Sequence, residues 1–74
     1  MSGKDLAAKL SRLGYEEVRQ SGSHIRLSRS EAPAHRVTVP AHENLRIGTL
    51  AAILDSVAGN LSLTRDQALS ILLR

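Results

Sequence analysis

A chain of 74 residues without cysteine is expected to form one domain over residues 1–74, with neither a disulfide nor a cysteine-based zinc site. It contains no apolar run near the ~20 residues that cross a membrane and no secretory signal at its start, so we expect a cytoplasmic protein without a membrane partner. Tyr15 is its only aromatic residue, which argues against domains that stack RNA bases on a sheet.

The formal net charge of +3 is concentrated in the middle of the chain. From Arg19 to Arg46 there are five arginines, two acids and all three histidines, whereas the charges of the two flanks cancel. A localised basic surface favours a polyanion or an acidic protein as partner. An ordinary solvated sheet face would give the same distribution, so charge alone does not decide.

Helical periodicity begins at the N-terminus. Residues 2–5, Ser-Gly-Lys-Asp, resemble a capping box. The apolar positions that follow have helical spacing: Leu6, Ala7, Leu10 and Leu13. Gly14 suits the left-handed residue that ends a helix, so the sequence predicts a first helix over about residues 3 to 13.

Three strands are predicted next, over about residues 15 to 20, 23 to 29 and 35 to 40. The apolar residues of the first strand do not alternate cleanly. Ser21-Gly22 lies between the first two strands and is a turn signal, because glycine accepts a positive φ. A loop of about two residues at this point makes a tight hairpin.

Alternation along the second and third strands places His24 on a basic face of the sheet. If Ile25 and Leu27 point to the core, His24 and Arg26 point the other way, and Arg36 of the third strand shares their face. That open face would hold one group able to exchange protons near neutral pH. A lone histidine on a strand is more often solvated or structural, so this pattern does not establish catalysis.

Helical periodicity returns at Ile47 and predicts a core helix over about residues 48 to 58, ended by Gly59. Its apolar stripe, with Ile53 at the edge, comprises Ile47, Leu50, Ala51, Leu54, Val57 and Ala58. Thr64 and Gln67 then form a capping box at the start of a short C-terminal helix. We expect this helix to be a lid on the core rather than a contact for a partner.

The predicted fold is α+β, in the order α-β-β-β-α, with a three-stranded antiparallel sheet, helices on one face and a short extra C-terminal helix. Six segments of the chain form a recognisable pattern: Ser2-Gly3-Lys4, Leu13-Gly14-Tyr15, Val18 to His24, Val37 to His42, Gly48-Thr49-Leu50 and Ile53-Leu54. Together with the order of elements they resemble the HicA family, also known as YcfA-like toxins, which are small mRNA interferases of bacterial toxin–antitoxin pairs. The departures, at residues 30–34 and 60–63, concern loops.

The resemblance implies a fold like the double-stranded-RNA-binding domain, with His24 as the catalytic residue and Gly22 in its turn. It also implies mRNA as substrate and a HicB-like antitoxin that covers the His24 face. No cofactor and no DNA binding by the toxin alone are expected.

RNA cleavage without a metal needs proton transfer at two oxygens and positive charge near the phosphate. His24 can act as base or acid, and His42 and His35 are candidates for the second group. Arginines can hold phosphate oxygens, and the turn beside His24 can donate hydrogen bonds. The candidate RNA-binding residues are Gly22, Ser23, Arg26, Arg36 and His42.

Two other functions stay open at this point. One is a non-catalytic module that grips duplex RNA by its shape, and the other is an inactive toxin remnant that only pairs with an antitoxin. Metal-assisted hydrolysis is disfavoured, because the acids are scattered along the chain. No metal site is predicted.

Overall fold

A computed structural model describes all 74 residues and confirms the predicted α+β order of elements. The helices are α1 (Gly3–Leu10), α2 (Ile47–Asn60) and α3 (Arg65–Leu72), and a 3-10 turn over Ser11–Leu13 follows α1. The strands are β1 (Glu16–Ser21), β2 (His24–Arg29) and β3 (His35–Pro40). They form one antiparallel sheet in the order β1-β2-β3.

The sheet has one covered face and one open face. Ile25 and Leu27 of β2 are buried together with Val37 and Val39 of β3, whereas the residues between them in sequence are largely exposed. Helices α1 and α2 contact the sheet on the buried side. The opposite side, called the open face below, carries no other element of the chain.

A single hydrophobic core joins the helices to the covered face. Leu6 and Leu10 of α1 are completely buried in it, and so is Leu72 of α3. The lid prediction for α3 is therefore confirmed, and the Arg12 guanidinium donates a hydrogen bond to the carbonyl of Leu72.

No single helix is long and apolar enough to span a membrane; α2 and α3 reach that length and hydropathy only as a pair, which is bent by 101°.

Helix α2 is longer than predicted. It continues through Gly59 to Asn60, and the chain turns only at Ser62, which has a left-handed φ of 56°. Ile47 was expected in the buried stripe, but 87% of its surface is exposed. It lies one heptad before Leu54 on the same side of the helix, but in the first turn, where no other element covers it.

Tyr15 is a core residue whose hydroxyl group is paired inside the protein. Its oxygen lies 2.7 Å from Nδ1 of His35, and Nε2 of the same ring lies 3.4 Å from the hydroxyl of Ser56. Burial raises the pKa of the Tyr15 hydroxyl, against the opposing influence of the Arg29 charge. This chain of contacts gives His35 a structural role between β3 and α2.

Strand β1 contains an irregularity that the sequence pattern does not reveal. Arg19 is opposite Arg26 and Glu17 is opposite Leu27, so Val18 is an extra residue between two consecutive pairs. This is a β-bulge. If the register of the hairpin continued past Arg19, Val18 would pair with Leu27 and face the core, whereas here 63% of its surface is exposed. The bulge explains why the apolar residues of this segment do not alternate.

Candidate functional site

His24 is the first residue of β2 and lies beside the hairpin loop. Its cross-strand neighbours are Ser21 and Pro40, so the loop consists of Gly22 and Ser23, one residue later than predicted. Gly22 has a left-handed φ of 57°, which glycine adopts without strain. The His24 side chain is exposed and its imidazole makes no hydrogen bond within the chain. It is therefore free to meet a ligand from solvent.

The segment after β3 is hydrogen-bonded to this hairpin and to the start of α1. The amide of Ala41 donates to the carbonyl of Ser23 at 2.6 Å, and the amide of Gly3 donates to the carbonyl of His42 at 2.8 Å. His42, whose side chain is exposed, therefore lies at the same end of the sheet as His24. We call this region, Gly22 to His24 with Pro40 to His42, the turn end.

Gly3 brings α1 into direct backbone contact with the turn end. A Cβ atom at this position would lie 1.8 Å from the carbonyl oxygen of Pro40 and 3.0 Å from Cα of Ala41. No side chain can be accommodated at that distance without moving one of the two segments. The beginning of α1 and the segment that carries His42 are thus held together as one unit.

The open face carries three arginines, one from each strand. Arg19 is directly opposite Arg26, and Arg36 is diagonal to Arg26 because Arg26 pairs with Thr38. Diagonal neighbours of this kind are about 7–8 Å apart. None of the three forms an ion pair, since the ion pairs of the chain are Arg29–Glu31 and Arg65–Asp55.

These arginines line a shallow groove that contains no acidic side chain. The rest of its lining consists of the hydroxyl residues Ser28 and Thr38 and three apolar residues, Val18 of the bulge, Leu27 and Val37. The prediction that Arg26 and Arg36 share one face of the sheet is confirmed. Arg19 was missed as a member of the face. Cross-strand pairing counted back from the hairpin, with Ser21 opposite His24, places Arg19 opposite Arg26 and would have found it.

Two residues of the basic central segment lie away from the open face. Arg29 is partly buried and donates to the carbonyls of Leu13, at 2.8 Å, and Glu31, at 2.8 Å. His35 pairs with Arg29 at the far end of the strands from His24, about 17 Å away at 3.4 Å per residue. It is therefore not a second proton-transfer group for His24.

No cluster of three or more His, Cys, Asp or Glu residues could hold a metal ion.

The fold and the site define a small α+β domain with helices on one sheet face, an open arginine-rich face and an exposed histidine at one end. A family model described as HicA toxin of bacterial toxin-antitoxin matches residues 3–58, more than half of the chain. The chain belongs to the HicA toxin family of bacterial toxin–antitoxin systems. Comparisons with curated proteins and with solved structures gave no match.

Proposed function

We propose that this protein is the toxin of a type II toxin–antitoxin pair and cleaves mRNA without a metal ion, using His24 as general acid or base. The observation that carries the proposal is the exposed, unpaired imidazole of His24 at the end of an open arginine-rich face, in a member of the HicA toxin family. The likeness to the double-stranded-RNA-binding domain stays a prediction.

The chemistry uses the RNA's own ribose as nucleophile. The 2′-hydroxyl attacks the adjacent phosphorus and loses its proton, the bond to the 5′-oxygen breaks, and that oxygen takes up a proton. The products are a 2′,3′-cyclic phosphate and a 5′-hydroxyl. His24 carries one of these two proton transfers, and positive charge beside the phosphate stabilises the charge that develops on its oxygens.

The turn end and the open face provide the remaining contacts with RNA. Arg26 is two residues from His24 on the same strand, about 7 Å along it, so it can hold a phosphate next to the one that reacts. Arg36 extends the basic track to β3. Gly22 and Ser23 offer hydrogen-bond donors beside His24, and His42 is the remaining candidate for contact with RNA at this end.

The direct test is incubation of the purified protein with a defined mRNA transcript in the presence and absence of EDTA. We expect cleavage in both conditions and new fragments that end in a 2′,3′-cyclic phosphate. Cleavage that stops on chelation and returns with added magnesium, or fragments that carry 5′-phosphates, would refute the proposed mechanism.

The proposed partner is a HicB-like antitoxin that covers the His24 face. Family membership implies an antitoxin in general, and the three unpaired arginines of the open face suit an acidic one. Covering this surface would block His24 directly and displace RNA by charge. A complex stabilised by charges at its rim is expected to weaken as the salt concentration rises.

Replacing single arginines tests whether RNA binds to the basic face or elsewhere on the surface. Arg26→Ala and Arg36→Ala should each weaken RNA binding and reduce the slope of log affinity against log salt by about 0.7, one phosphate contact to a single strand. Arg65→Ala removes the same charge from the far side, where Arg65 is paired with Asp55 at 2.6 and 2.5 Å, and should change RNA binding little. Fluorescence anisotropy over a salt series measures all three, and equal effects would mean that the RNA-binding face is misplaced.

A further inference from the structure

Val18 is an unusual member of the open-face groove. It is an exposed aliphatic side chain, 63% accessible, in a groove whose charged residues are three arginines. The bulge places it there, since the register of the hairpin, continued past Arg19, would turn it toward Leu27 and the core. Val18 is thus absent from the core, and its apolar side chain is exposed beside positive charges.

An RNA backbone makes no use of such a group. Phosphates bind to arginines and hydrogen-bond donors, and bases in single strands stack on aromatic rings or guanidinium planes. Val18 offers neither, and the only aromatic residue of the chain, Tyr15, is buried. An exposed apolar side chain beside charged groups is instead typical of a protein interface, where apolar contacts are bordered by polar ones.

We infer that Val18 and the arginines 19, 26 and 36 form a docking site for an acidic protein segment that places an aliphatic side chain between carboxylates. The inference rests on the proposed function in taking this segment to belong to the antitoxin. It goes further in assigning the groove two ligands: the arginines serve RNA and the acidic segment alike, whereas Val18 serves only the protein.

The spacing of the groove fits an extended segment. Alternate side chains of a β-strand lie on one face about 7 Å apart, and the diagonal pair Arg26 and Arg36 has about the same separation. In a sequence of the form Glu-x-Leu-x-Glu the two glutamates lie about 14 Å apart, close to the span of about 12–13 Å from Arg19 across Arg26 to Arg36. The leucine lies between the glutamates, where it can contact Val18. Because the carboxylates occupy the arginines, such a segment excludes RNA from the groove by competition.

The test uses two synthetic peptides that differ at one position and a single-stranded oligoadenylate as RNA probe. The first peptide has Glu, Leu and Glu at alternate positions with serine between them, and the second has serine in place of the leucine. Binding of each probe is measured to the wild type, to Val18→Thr and to Arg26→Ala. Threonine keeps the shape and strand preference of valine, so the exposed site should retain its fold.

For the wild type we expect the leucine peptide to bind about 5-fold more tightly than the serine peptide, as burial of about one methyl group gives. Val18→Thr should remove most of that ratio and leave oligoadenylate binding unchanged, whereas Arg26→Ala should weaken all three probes. Leu73→Thr is the matched control, because Leu73 is also an exposed aliphatic residue, 60% accessible, but lies beyond α3. It should leave every affinity as in the wild type.

Three outcomes overturn the inference. They are a wild type that does not prefer the leucine peptide, a preference that Val18→Thr leaves intact, and a Val18→Thr protein that loses as much RNA affinity as peptide affinity. The last outcome would make the groove an RNA site throughout. Failure of the wild type to bind or cut RNA would instead refute the proposed ribonuclease function, and the peptide ratio would still test the docking site.

Discussion

His24→Ala is expected to lower the rate of RNA cleavage by about 10²- to 10⁴-fold, the usual effect of losing a general acid or base. The fold should survive, because His24 is exposed and its imidazole contacts no other side chain by hydrogen bonding. Exposed substitutions of this kind usually change the free energy of unfolding by no more than about 0.5 kcal/mol. Most of the RNA affinity should also remain, since the arginines are untouched.

His35→Ala is the matched control for this experiment. His35 is partly buried and bonded to the Tyr15 hydroxyl, so its loss leaves a buried hydroxyl without a partner at a cost of about 1–3 kcal/mol. Cleavage by the folded fraction should be normal. Single-turnover cleavage rates and urea unfolding of both variants distinguish the two histidines. A His24→Ala protein that cuts RNA at the wild-type rate would rule out the catalytic role.

Gly3→Ala is expected to destabilise the protein by about 3 kcal/mol, the upper part of the range for overpacking. Within a helix this substitution ordinarily stabilises, by about 1 kcal/mol. At Gly3 the added methyl group would overlap the carbonyl oxygen of Pro40, and backbone cannot rotate away as a flexible side chain can. A loss of this size is a large part of the total stability of a small domain, which lies near 5 kcal/mol at the lower end.

Gly59→Ala is the control, and it is expected to raise the stability that Gly3→Ala lowers. Gly59 is exposed within α2, and a Cβ atom there would have no neighbour within 4 Å. Urea unfolding of both variants should therefore show a lower midpoint for Gly3→Ala and a slightly higher one for Gly59→Ala. Equal midpoints for the two proteins would show that the contact between α1 and the turn end is looser than described.

Local chemistry was enough to predict most of the element boundaries. Gly14 ends the first helical segment with a left-handed φ of 90°, and Thr64 with Gln67 forms the capping box of α3. The faces of β2 and β3 also followed from alternation, which is why Arg26 and Arg36 were placed correctly. These features depend on neighbours within a few residues, and such neighbours are visible in sequence.

The remaining features depend on contacts between distant segments. The uneven alternation around Val18 does not by itself indicate a bulge, because the register of this part of β1 is set by its pairing with β2. Arg29 and Arg36 look alike in sequence, yet Arg29 is bound by a carbonyl of the 3-10 turn and a carbonyl of the loop before β3. Ile47 lies on the same side of α2 as the core residues, yet it is exposed because no other element covers the first turn of the helix.

The bulge at Val18 also bears on how this protein behaves at high concentration. Strand β1 forms one edge of the sheet, and all six of its residues are exposed. A long regular edge offers a row of unpaired amide and carbonyl groups on which another chain can extend the sheet, and bulges are one device that disfavours such growth. The extra residue interrupts the regular spacing within this short strand. The feature that presents a valine to a partner therefore also protects unpartnered molecules from edge-to-edge aggregation.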